Sequence, residues 1–222
     1  MLLNIIEYLN WKILIVVRIM ENKIKICIIL GSIRNGRFGE RPAKWINEEL
    51  KNWEGVDVDF VDLKDYPMPF FDSPTSPSMM EKKYQNENVQ KWSAKVDNAD
   101  AFIIISPEYN HGYSSVLKNA LDWLSPEWSR KAVGFVSYGS ASGARAIEQL
   151  REVAIELNMA PIRKSVHINW DFIMKTWQNK DISNAELFAP LRKGMGPDHL
   201  ADFVNDLVWT AKAMKNARNN SQ

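Results

Sequence analysis

The sequence predicts a doubly wound α/β sandwich of three layers, with helices on both faces of a five-stranded parallel sheet. Three observations carry this. Short apolar runs alternate with longer segments whose apolar residues recur at helical spacing. The runs are continuously apolar, as suits strands covered on both faces. Glycine or proline closes several elements, as at Gly31 and at Ser125-Pro126.

Taken in order, Ile24 to Leu30 is the first strand, isoleucine-rich and ended by Gly31. Pro42 to Trp53 reads as a helix, with Ala43, Ile46 and Leu50 on one face. Val56 to Leu63 is the second strand. A polar, proline-rich connection runs from Lys64 to Ser78, longer than compact domains normally use without a functional reason. Val89 to Asn98 belongs to a helix. Ala101 to Ser106 is the third strand and the most uniformly apolar. Ser114 to Leu124 is a helix carrying Val116, Leu117, Ala120, Leu121 and Leu124. Ala132 to Tyr138 is the fourth strand, Ser142 to Asn158 a helix, and Ser165 to Ile168 the fifth strand. A closing helix spans Asp198 to Met214, with Asp198 as its cap. Strands alternating with helices imply right-handed crossovers.

The chain has 222 residues, a formal net charge of +1 and 45% hydrophobic residues. No net field draws it to nucleic acid or an anionic membrane. Cys27 is the one cysteine, so no internal disulfide forms, and a cytoplasmic location is expected. Its place inside the first strand makes it a packing residue. Glu7, Lys12 and Arg18 interrupt the apolar opening, which fits neither a membrane span nor a signal peptide. The division expected is an extension over 1–22, a cofactor domain over 23–170, and a C-terminal extension with helix and polar tail over 171–222.

Ligands in a doubly wound sheet bind beyond the carboxyl ends of the strands, where strand order switches. In the order 2-1-3-4-5 that point lies between the first and third strands. The loop after the first strand, Gly31-Ser32-Ile33-Arg34-Asn35-Gly36-Arg37-Phe38-Gly39, leads to a helix N-terminus. Unpaired amides there attract a phosphate, and Ser32, Arg34 and Arg37 add donors. A glycine-rich turn with solvated arginines is the alternative. The loop lacks both a Walker A motif and Gly-x-Gly-x-x-Gly. The loop after the third strand, Ser106-Pro107-Glu108-Tyr109-Asn110-His111-Gly112-Tyr113, offers tyrosines to flank a flat ring and Asn110 to bond its edge. The loop after the fourth strand contains Tyr138, Gly139 and Ser140, without the spacing of a nucleophile elbow.

These loops together resemble the NAD(P)H-dependent FMN reductase family of quinone, azo-dye and chromate reductases. The matching residues are Gly31-Ser32-x-Arg34-x-x-Arg37, Pro67-x-Pro69-x-x-Asp72, Pro107-Glu108-Tyr109-Asn110, Leu117-Lys118-Asn119-Ala120-Leu121-Asp122, Ser137-Tyr138-Gly139, Gly143 and Leu150-Arg151. The likeness covers roughly Lys23 to Ile168. It implies a flavodoxin-like fold and bound FMN. The phosphate is then expected on Ser32, Arg34 and the amides of Arg37, Phe38 and Gly39. The ring is expected against Pro107, Glu108, Tyr109 and Asn110, with Tyr138, Gly139 and Ser140 closing the site. Many members have Ser-Phe-Asn where this chain has Arg37-Phe38-Gly39.

The activity so implied is electron transfer from NAD(P)H, the co-substrate, to a small acceptor such as a quinone, azo compound or free flavin. It runs in ping-pong order through flavin N5. The cofactor carries the chemistry, so no catalytic side chain is named. Tyr109, Tyr113 and Tyr138 are candidates for stacking. His111, His167 and His199 lack metal-ligand spacing. The resemblance also implies a homodimer or homotetramer. The aromatic stretch from Trp123 to Trp128 is where a contact is expected, and Trp45, Trp92 and Trp123, on predicted helices, read as core or subunit contacts. The competing reading is a flavodoxin-like electron carrier, which the net charge and the two loop arginines disfavour.

Overall fold

The computed structural model describes residues 23–192 and 199–220. Five parallel strands, β1 (Ile24–Leu30), β2 (Val56–Asp62), β3 (Ala101–Pro107), β4 (Ala132–Tyr138) and β5 (Ala160–Ile168), lie in the order β2-β1-β3-β4-β5. This is the flavodoxin-like order expected. The long helices are α1 (Glu40–Lys51), α2 (Glu87–Asn98), α3 (Ser115–Asp122), α4 (Ala144–Glu156) and α5 (Trp170–Gln178). The short α6 (Asn184–Leu187) and α7 (Ala189–Arg192) and the closing α8 (Leu200–Asn220) follow.

The continuously apolar strands hide an alternation. In β1, Ile24, Ile26, Ile28 and Leu30 point to one face, while Cys27 and Ile29 point to the other. In β3, Ala101, Ile103 and Ile105 oppose Phe102 and Ile104 in the same way. The first face is covered by α1, α5 and α8, with Trp45 stacked on Phe188 at 4.8 Å. The second is covered by α2, α3 and α4 around Trp92, Phe102 and Trp128. Burial pushes the Cys27 thiol far above its ordinary range, and its neighbour Asp59 adds to this.

Trp128 is fully buried, with its ring 5.7 Å from Trp92 and 4.8 Å from Phe102. It is therefore a core residue, while Pro126 of the same stretch is exposed. Trp123 is also buried, and its indole N–H donates to the Pro69 carbonyl at 2.8 Å.

Several element ends differ from the sequence reading. β5 starts at Ala160 rather than Ser165. Pro161 hid this, yet proline is tolerated because β5 is an edge strand. β2 stops at Asp62, where the Asp62 carboxylate accepts from the Lys64 amide and turns the chain. α4 starts at Ala144 because Ser142 and Gly143 both take left-handed backbone conformations. α5 was not foreseen; Asn169 caps it by accepting from the Asp171 amide. The expected cap Asp198 and the extension over 1–22 lie outside the described residues. Among the described residues, no helix is long and apolar enough to cross a membrane.

Candidate functional site

The C-terminal ends of β1, β3 and β4 open onto one cleft of about 480 Å3. Arg34, Gly36, Arg37 and Phe38 line it from the first loop, Pro107, Glu108 and Tyr109 from the second, and Tyr138, Gly139 and Ser140 from the third. Parallel register brings these loops together. Leu30 pairs with Ile105, and Pro107 pairs with Tyr138. A roomier cleft of about 670 Å3, between the long connection and Trp123, contains no residue of the three loops. The smaller cleft is the one at the switch in strand order, where open α/β sheets bind ligands.

Ser32 is buried, and its Oγ lies 3.2 Å from Tyr109 Oη. The two loop arginines differ sharply. Arg34 is exposed and forms no ion pair among the described residues. Arg37 is buried. Its Nη1 donates to Asp62 Oδ1 at 2.9 Å and to the Ser32 carbonyl, its Nη2 donates to Asp62 Oδ2, and its Nε donates to Glu40 Oε1 at 3.2 Å. Burial lowers its affinity for the proton, but Asp62 and Glu40 outweigh that and hold the cation more firmly than usual. The Arg37 guanidinium thus shapes the loop. Only one of its five N–H donors is left over, whereas the Arg34 guanidinium faces solvent.

In the second loop, Tyr109 and Gly112 exchange backbone hydrogen bonds at 2.8 and 3.0 Å across Asn110 and His111. Both central residues have positive φ, 49° and 70°, which makes this a mirror-image tight turn. The turn carries Asn110 away from the cleft lining. The Glu108 carboxylate accepts from the Arg145 amide at 3.1 Å and from Arg145 Nε at 2.6 Å. Arg145 Nη1 lies 2.7 Å from His111 Nε2. Tyr113 is half-buried against the second core face rather than in the cleft, and burial pushes its hydroxyl up to about 12.

In the third loop, Glu108 donates its amide to the Tyr138 carbonyl at 2.9 Å, so the second and third loops are tied together. Tyr138 packs edge-on against Phe38, with centroids 5.3 Å apart.

The cleft has a wall that sequence reasoning missed. Trp170, Ile173 and Trp177 of α5 line it. The two indoles stand perpendicular to each other, 5.4 Å apart, and are 42% and 61% exposed. Trp170 and Trp177 are seven residues apart, two helical turns, so they share one face. That spacing is visible in the sequence, but nothing local says which face meets the cleft.

The model of the NADPH-dependent FMN reductase family matches residues 24–171. A protein of Schizosaccharomyces pombe described as an NAD(P)H-dependent FMN reductase is 34% identical over 174 residues, 78% of this chain and 87% of its own length. An NAD(P)H:quinone oxidoreductase of Solanum tuberosum is 30% identical over 151 residues, 64% of this chain and 72% of its own. Among solved structures, RosB with a bound flavin-phosphate intermediate aligns with a TM-score of 0.59 at 14% identity, over 87% of this chain and 81% of that one. At that identity the likeness concerns the fold alone.

Proposed function

Because the chain belongs to the NADPH-dependent FMN reductase family, we propose that its cleft holds FMN with the phosphate at the start of α1 and the ring beside Pro107, Glu108 and Tyr109. The chain is an oxidoreductase of that family, with FMN as cofactor and NAD(P)H as co-substrate. One observation carries the placement. Arg34, Gly36, Arg37 and Phe38, in the loop that leads into α1, line the same cleft as the loops after β3 and β4, and buried Ser32 lies 3.2 Å from Tyr109 of that lining.

The residues present fit such a ligand. Pro42 has no N–H and the Arg41 amide is bonded to the Phe38 carbonyl, so the amides of Phe38, Gly39 and Glu40, with a solvent-facing guanidinium, are the ones that suit a phosphate dianion. Gly39 carries no side chain where one would press on Tyr138, so the phenol packs directly against the α1 terminus. A cleft of about 480 Å3 falls within the range that cofactor-sized ligands occupy.

FMN supplies the hydride and electron chemistry when bound. The protein does the rest. Arg34 and the α1 amides anchor the phosphate. The Glu108–Arg145 pair and the tight turn after it fix the backbone that borders the ring. Phe38 and Ile173 keep water from the inner wall. Trp170 and Trp177 offer two apolar planes at the mouth, which favours a flat aromatic acceptor, in first place a quinone. NAD(P)H and acceptor use the same opening in turn, which gives ping-pong kinetics.

The experiment is a mass and absorbance spectrum of untreated protein, followed by initial rates with NAD(P)H and menadione. Stoichiometric FMN and parallel double-reciprocal lines are expected. Protein that carries no flavin and takes none up ends this reading. Intersecting lines end the ping-pong order alone.

A further inference from the structure

Tyr138 closes β4, and its ring is 6% exposed, held edge-on by Phe38. Its Oη is wholly buried and donates no hydrogen bond of normal geometry among the described residues, with the Gly39 amide and the Ser32 hydroxyl as its polar neighbours. A buried donor without an acceptor is costly, so such a group calls for a ligand or water oxygen.

The direction of this hydroxyl is set by Gly39, the residue immediately before α1. A Cβ built on Gly39 would lie 2.5 Å from Tyr138 Oη. Gly39 has φ −54°, so its backbone does not require glycine. What the missing side chain provides is the space that the phenol itself occupies against the helix terminus. Burial, and then the neighbouring Tyr109, push the ionisation of Tyr138 far upward, against smaller opposing effects of the Gly39 amide, Arg37 and Ser32. The phenol therefore keeps its proton and remains a donor. Arg37 is a poor substitute for it, since four of its five N–H donors are committed to Asp62, Glu40 and the Ser32 carbonyl.

We propose that Tyr138 donates its hydroxyl hydrogen bond to the phosphate of the bound flavin, opposite the α1 amides, rather than walling the ring. The site thereby selects the phosphorylated flavin over riboflavin. This rests on the FMN reading of the cleft.

The test uses flavin-stripped full-length protein, wild type, Tyr138→Phe and Gly39→Ala. Each is titrated with FMN and with riboflavin by flavin fluorescence, and each apoprotein is melted. Tyr138→Phe is expected to weaken FMN binding by about tenfold to a hundredfold, the range for a hydrogen bond to a charged group. It should leave riboflavin within about twofold, and its apoprotein should melt no lower than wild type, because the mutation deletes an unpaired buried hydroxyl. Gly39→Ala crowds Oη and should also cost FMN selectively. Unchanged FMN affinity in Tyr138→Phe, or equal losses for FMN and riboflavin, overturns the assignment while the cleft reading stands. Wild-type apoprotein that binds neither flavin overturns both.

Discussion

Arg37 and Asp62 face each other as a two-pronged ion pair, both guanidinium nitrogens against both carboxylate oxygens, with the Arg37 side chain 4% exposed. The pair joins the loop after β1 to the end of β2, and β1–β2 register explains it, because Leu30 pairs with Asp62. Asp62→Ala should therefore destabilise the protein by about 2 to 4 kcal/mol, since it leaves a buried cation half-unpaired. Arg34→Ala should change stability by less than about 0.5 kcal/mol, as exposed substitutions do. It should nonetheless weaken FMN binding by about tenfold or more. Urea unfolding of apoprotein together with FMN titration separates the two arginines.

The Glu108 carboxylate is buried and held by Arg145. Arg145→Met should cost about 2 to 4 kcal/mol by stranding it. Glu108→Gln in the same chain should recover part of that loss. The coupling in a double-mutant cycle measures the pair, and additive effects would show that the two side chains act independently.

Gly143 has φ +73°, and a Cβ there would lie 2.0 Å from Ser137 Oγ and 2.7 Å from the Tyr138 amide. Gly55 has the same φ but nothing within 4 Å. Gly55→Ala should cost only the conformational strain, about 1 kcal/mol. Gly143→Ala should cost about 3 kcal/mol or more, since overpacking adds to that strain. Thermal melts of the two variants check the ratio.

Lys131 sits beneath the end of α2, donating to the Val96 and Asp97 carbonyls at 2.8 Å each. Burial lowers its ammonium to about 8, partly offset by Asp97. The unfolded chain holds that proton up to about 10.4. Between the two values the unfolded state binds more protons, so this residue's contribution to stability rises with pH. From pH 7.5 to 9.5, wild type should gain about 1 to 2 kcal/mol relative to Lys131→Met in urea unfolding. No change in the difference would show that the carbonyls keep the ammonium charged throughout.

Trp177→Ala should raise KM for an aromatic quinone by about threefold to tenfold, the worth of one aromatic contact. FMN content should be unchanged. An unaltered KM places the acceptor elsewhere in the cleft.

The strands were legible because burial on both faces writes a local signature, as in Ile24 to Leu30 and Ala101 to Ser106. The loops that line the cleft were legible because Gly31, Ser32 and Arg34 follow directly on the first strand and Pro107, Glu108 and Tyr109 on the third. β5 was read short because Pro161, Arg163 and Lys164 break the apolar run at an edge, where one side needs no strand partner. α5 escaped because its tryptophans gave no cue to where that helix packs.

By itself the sequence determined the order of elements, the location of the switch point and the chemistry available there, because propensity and periodicity act over a few residues. Tertiary structure decided what each group does. Asp62 captures Arg37 from 25 residues away, Glu108 answers Arg145 across two strands, and Tyr138 aims at Gly39. Those meetings depend on sheet order and register, which bring distant residues within hydrogen-bond reach and leave no trace in local pattern.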